Sequence, residues 1–285
     1  MNKTKEIIKL CRYEFQLQLS SKRVWLGYLV GVVIVLAQAA EYMNYANDTG
    51  EAVNVWDTFI ITGNSYNTVM FLVLGWLLVI SEAPFVNHNA MYLMHRTKKT
   101  IWNQAMILYI ILQAIIYYVL LVLSTMIYCA GNGYFANVWS KPFMKLAKEE
   151  LNPNLYHVTF PYPELFESHT VFQAFARTFL LLLLYGIIMG LLLYTCNLFS
   201  NQIVGAVAVF LFHFLGYEIM KEGLMLNIKY SLLARSLLVM QIGERTGTQM
   251  SGTYLVYAVI VISLIESSNI LVRYVDLKEV SKGEG

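Results

Sequence analysis

Six long apolar runs constrain this chain more than any other feature. They lie at 24–40, 64–82, 103–130, 172–196, 202–220 and 252–272. A helix needs about 20 mainly apolar residues to cross the hydrocarbon of a bilayer. Lipid offers no partner for a free N–H or C=O, so such runs must close their backbone hydrogen bonds internally, as helices. The second run centres on VMFLVLGWLLVI, 69–80, and needs its flanks to reach spanning length. The composition agrees, with 58% hydrophobic and 13% charged residues. A soluble domain carries about 25% charged residues. The expected fold is all-α: a polytopic membrane protein with six transmembrane helices.

The Lys and Arg residues in the connections orient these spans. Lys3, Lys5, Lys9, Arg12, Lys22 and Arg23 precede the first span. The 41–63 connection has none, but carries Glu41, Asp48, Glu51 and Asp57. Arg96, Lys98 and Lys99 follow the second span, and Arg273, Lys278 and Lys282 follow the sixth. This alternation places both termini and the 83–102 loop in the cytoplasm. The 131–170 and 221–250 segments then fall outside, although both contain lysines. Residues 273–285 form a cytoplasmic tail.

Residues 1–23 read as an amphipathic helix lying in the interface. Lys5, Lys9, Arg12 and Gln16 fall on one face by their spacings of four, three and four. Apolar lines run beside them through Ile8, Cys11, Phe15 and Leu19 and through Ile7, Leu10, Tyr13 and Leu17, interrupted by Glu6 and Glu14. The start is basic but lacks the compact apolar core of a cleavable signal. Cys11, Cys129 and Cys196 form no CxxC pair and read as small buried thiols. Gly27 with Gly31, and Gly186 with Gly190, are small-residue pairs that let helices approach closely, within one chain or between two.

Reactive motifs are scarce. The sequence has no GxxxxGK[ST] phosphate loop and no HExxH. His213 and Glu218 are five residues apart, a poor match to one helical face, and His213 reads as a hydrogen-bonded packing residue. Glu82, Glu266 and Arg177 lie near span ends, so no chain of central carboxylates suggests proton coupling. No TVGYG-like filter is present. The net charge of +2 gives no reason to expect a nucleic-acid partner. The expectation is a protein that is not an enzyme, with no catalytic, cofactor-binding or metal site of its own.

One stretch breaks the apolar pattern. In LMHRTKKTIWNQAMIL, 93–108, Arg96, Lys98 and Lys99 crowd against Trp102 at the entrance to the third span. Taken alone, this is a topology anchor with a tryptophan at interface depth. Upstream, PFVNHNAMYLMH, 84–95, can form a short helix opened by Pro84. With the basic interfacial helix, six spans and both ends inside, this stretch resembles an ABC-2 type permease, the membrane subunit of a bacterial ABC exporter. The partly charged 221–250 stretch is similar to the outer re-entrant segment of that fold.

The resemblance implies residence in a bacterial cytoplasmic membrane and export driven by ATP and Mg on two separate ABC ATPase subunits. It also implies a second permease, either another copy or a different chain. A permease without a phosphate loop receives the work of hydrolysis mechanically, so 84–95 is expected to be a coupling helix. Pro84 opens it as part of the ATPase-coupling element, Phe85 and Tyr92 are its expected ATPase contacts, and Arg96, Lys98, Lys99 and Trp102 set its height. The long 131–170 segment departs from the pattern. Tyr134, Trp139, Tyr162 and Phe166, with Arg235, would line a path for an amphipathic peptide, lipid or drug, or else form a structural cap. Export of an antimicrobial peptide for self-protection is one such role. A stand-alone channel or an ion-coupled secondary transporter is the alternative.

Overall fold

The computed structural model describes residues 3–84, 97–148, 158, 160–223, 228–242, 246–247 and 249–274. Twelve helices and one two-residue strand pair are described. They are α1 (Lys3–Gln18), α2 (Lys22–Thr49), β1 (Val53–Asn54), α3 (Val55–Asn64), α4 (Tyr66–Ile80), α5 (Lys99–Cys129) and β2 (Gly133–Tyr134), then α6 (Lys141–Ala147), α7 (Glu164–Ser168), α8 (Val171–Phe199), α9 (Gln202–Lys221), α10 (Leu232–Ser236), α11 (Leu238–Gln241) and α12 (Met250–Tyr274). The strands pair in parallel, Val53 with Gly133 and Asn54 with Tyr134.

Helices α2, α5, α8, α9 and α12 are long and apolar enough to cross a membrane. The sixth expected span differs in form. Helices α3 and α4 meet at 87°, and only the pair together has spanning length and composition. The bend has a local cause. Ser65 is extended, and its Oγ accepts from the Thr68 amide, which starts α4 afresh at the end of α3. The first span also differs, because α2 continues past the expected end at 40 to Thr49. Tyr42, Met43, Tyr45 and Ala46 are buried there, and the helix stops only at Gly50, whose φ of 69° closes its C-terminus. The apolar run alone did not show where this helix ends.

Helices in lipid gain little from hydrophobic burial against each other, so close packing and polar bonds must hold them. Helix α2 packs most extensively on α4. A Cβ at Gly27 would lie 2.6 Å from the Gly75 carbonyl oxygen, and one at Gly31 would run into Tyr117. Gly186 in α8 packs against Tyr118, and Gly190 against Ile110, Ile80 and Trp76. Both small-residue pairs are therefore used within this chain. Buried polar atoms reinforce the contacts: Tyr117 donates to the Leu72 carbonyl at 2.8 Å, and Trp76 to the Gly186 carbonyl at 2.7 Å. Helices α9 and α12 cover the bundle thinly. Ile203, Val207, Leu211 and Leu215 on α9, and Leu255, Val259 and Ile262 on α12, point outward as lipid-facing side chains do.

Candidate functional site

The entrance and exit of the 83–102 connection are built from polar contacts, partly exposed at the entrance and buried at the exit. At the entrance, Arg23 of α2 pairs with Glu82 at 2.6 Å and donates to Ser81 at 3.4 Å. Asn197, near the end of α8, donates to the Ala83 carbonyl, and Gln202 of α9 donates to the Glu82 carbonyl at 3.3 Å. Ala83 and Pro84 are buried. Three helices thus hold Ser81, Glu82 and Ala83, the first three residues after α4.

At the exit, Lys98 is extended and exposed, and α5 begins at Lys99, also exposed. Trp102, the expected interface anchor, faces the bundle rather than its surroundings. It is buried, with its ring 6.5 Å from Tyr194 of α8, because one turn into α5 its side chain faces the bundle. Asn103 continues the inward face. Its oxygen accepts from Tyr194 at 2.7 Å, and its amide donates to Ser268 at 3.2 Å and Asn269 at 2.9 Å. Helices α5, α8 and α12 are thereby tied at one level. Phe85, Tyr92 and Arg96, with the rest of 85–96, lie outside the described residues.

A second assembly occupies the end of the bundle expected to face outward. Asn54 caps α3 and donates to the carbonyls of Ala136 at 2.7 Å and Val138 at 2.8 Å. Asp57 accepts from Ser140, while Tyr42 lies 3.1 Å from the same hydroxyl. Lys141 pairs with Glu51 at 2.9 Å, which holds the Glu51 carboxyl below its usual range. The 131–148 chain is thus fastened to α2 and α3. Trp139 stacks on Phe143 at 4.5 Å, Phe143 contacts Phe160 at 4.9 Å, and Phe160 contacts Tyr162 at 5.4 Å.

An open groove of about 420 Å³ crosses this assembly, lined by residues that include Trp139, Met144, Phe166, His169 and Gln173. Lys148 lies 5.9 Å above the Phe166 ring. Trp139 donates to the His169 carbonyl at 3.0 Å. Arg177 donates to His169 Nε2, and burial, then that arginine, lower the imidazole pKa. The groove lining is mixed: Trp139, Phe166 and Met144 stand beside polar side chains and the acidic Glu167, with Lys148 and Arg177 next to lining residues. It unites Trp139 and Phe166 but not Tyr134 or Tyr162 among its lining.

Arg235 takes no part in that surface. It is buried in α10 and donates to the Lys229 carbonyl at 3.2 and 2.7 Å and to Thr253 at 3.4 Å. A buried guanidinium must satisfy its donors, and here it ties the 228–242 segment to α12. His213 is likewise a packing residue, 2.7 Å from the Tyr185 hydroxyl and 3.1 Å from the Met70 carbonyl. Among the described residues no group of three or more His, Cys, Asp or Glu could hold a metal.

The residues that fasten these regions, Asn54, Asp57, Asn103 and Asn197, were not singled out by their sequence context. A polar side chain inside or beside an apolar run was the available signal. No protein-family model, curated protein or solved structure matches this chain.

Proposed function

We propose that this chain is the permease subunit of an ATP-driven exporter of the ABC-2 type, moving an amphipathic peptide, lipid or drug outward. One observation carries this reading: the 83–102 connection is held firmly at both ends, at 81–83 by α2, α8 and α9 and at 102–103 by α8 and α12. A loop that passes force needs such seats, because a displacement of its tip then moves helices rather than slack chain. The groove supports the same reading, since Trp139, Met144 and Phe166 beside polar and charged side chains, with Lys148 over the Phe166 ring, suit an amphipathic cargo. In this reading both termini and the loop are cytoplasmic. Two ATPase subunits supply ATP and Mg chemistry, and a second permease completes the pore.

The test is purification of the tagged chain from native membranes, followed by assay of Mg-dependent ATP hydrolysis. The proposal expects an ATPase with a phosphate loop to co-purify. Replacing Phe85 and Tyr92 together by alanine should keep insertion intact and weaken that association. Transport of ions by the chain reconstituted alone, with no ATPase attached, would instead establish the channel or secondary-transporter reading.

A further inference from the structure

Helix α1 packs along α5, and between them runs an apolar groove of about 350 Å³. Its walls are Ile8, Cys11, Phe15, Leu108 and Leu112, and Arg12 is its one charged lining residue. The sequence of α1 explains this arrangement. Leu10, Cys11, Glu14 and Gln18 are buried. Ile8, Phe15 and Leu19 form an apolar line beside that buried face, and Ile8 and Leu19 are each 56% exposed. Arg12 lies on the same line by its spacings of four from Ile8 and three from Phe15. Lys5, Lys9 and Gln16 flank it on the far side, all exposed. Among the described residues, Lys5, Lys9 and Arg12 form no ion pair.

We infer that this groove holds one acyl chain of an anionic phospholipid, with the headgroup on Arg12 and its flanking lysines. Three features favour this occupant. The walls are apolar and open onto exposed side chains of α5, Leu112, Ile115, Ile116 and Val119. From Leu108 to Val119 that stripe is about 16 Å long at 1.5 Å per residue. One leaflet of a hydrocarbon core about 30 Å thick has the same depth. The cations lie at one end of the stripe only, as a lipid places its single charged end. Glu6 and Glu14 are the acidic residues of α1. Glu14 is buried on the other side of Cys11, and Glu6 lies away from Arg12 around the helix, so neither neutralises this end.

The inference rests on α5 spanning a bilayer and not on ATP-driven export. Full-length protein in mixed phosphatidylcholine–phosphatidylglycerol vesicles is the system for testing it. The probes are phosphatidylglycerol and phosphatidylcholine, each with a diazirine in one acyl chain, and adducts are mapped by peptide mass spectrometry. The phosphatidylglycerol probe should concentrate on residues 8–15 and 108–119 and exceed the phosphatidylcholine probe there. Arg12→Gln should lower that preference about five-fold, the equivalent of about 1 kcal/mol for one basic group at a membrane surface. Leu108→Trp should fill the groove and reduce labelling by both probes, while labelling of α9 and α12 reports that the protein remains inserted. Equal labelling by the two probes at α1 and α5, no enrichment there over α9 and α12, or a preference unchanged by Arg12→Gln would each overturn the assignment.

Discussion

Replacing Glu14 by glutamine should strengthen the seating of α1 on the bundle, and the gain should grow with pH. Glu14 is only 3% exposed, and its Oε2 has no hydrogen-bond partner among the described residues. Burial raises its pKa from 4.5 to about 8. Among the described residues, the titratable groups facing it are Cys11 on its own helix, Tyr109 on α5 and Tyr194 on α8, none of them cationic. Below pH 4.5 the carboxyl is protonated whether α1 is seated or free, so seating carries no penalty. Between pH 4.5 and about 8 the free helix ionises while the seated one keeps its proton. Seating then weakens by up to about 1.4 kcal/mol per pH unit, and levels off above that window. At neutral pH the loss is on the order of 3 kcal/mol, which glutamine removes because it carries no charge. Amide hydrogen exchange of the α1 peptide, measured from pH 5 to 8.5 in both proteins, isolates this effect. The ratio of the two opening constants cancels the intrinsic pH dependence of exchange. It should rise up to ten-fold per unit as pH increases. Superimposed profiles, or a mutant less protected than the parent at pH 7.5, would refute the reasoning.

Three further outcomes are expected. Gly27→Ala should cost about 1–3 kcal/mol in thermal or denaturant stability, because the new methyl meets backbone atoms of Gly75 and Val79, which cannot rotate away, whereas Gly131→Ala should change nothing. Asn103→Ala removes three contacts that join α5, α8 and α12. At about 0.6 kcal/mol for each such contact in a membrane, it should cost roughly 2 kcal/mol in a reversible unfolding assay. In a background lacking Cys11, Cys129 and Cys196, a cysteine at Asp48 or Pro153 should react with an impermeant thiol reagent on intact cells, and one at Lys98 should not.

The spanning helices were legible because a bilayer demands long apolar runs, and α5 at Lys99–Cys129 lies within a few residues of the expected 103–130. Helix ends set by tertiary contact were less so. Nothing in the charge pattern announced that Tyr42 and Tyr45 would carry α2 on to Thr49. The break before α4 did leave a local trace, the capping serine at 65. Side-chain direction was the harder matter. A tryptophan after three cations reads as an interfacial anchor, but that pattern does not say which face of α5 it occupies, and Trp102 turns toward the bundle. Arg235 was expected beside an outer aromatic surface, and sequence could not show that its guanidinium is bound by Lys229 and Thr253 of its own chain. Glu14 seemed to interrupt an apolar surface, and it is instead buried within the packed face. The Asp57–Ser140 contact joins residues 83 positions apart, a distance over which neither periodicity nor spacing carries information.

The right-angle junction between α3 and α4 has a mechanical consequence. Its last helical residue, Asn64, donates to the Ile60 carbonyl at 2.8 Å and to Thr178 of α8 at 3.1 Å, and accepts from the Val239 amide of α11 at 3.0 Å. One carboxamide therefore pins together a bent helix, a long straight one and the 228–242 segment. These parts cannot shift independently without breaking a bond at that point. A tilt of α8 that kept these bonds would carry the elbow and the inner end of that segment with it, so this side of the molecule would respond as a single lever with its pin at residue 64.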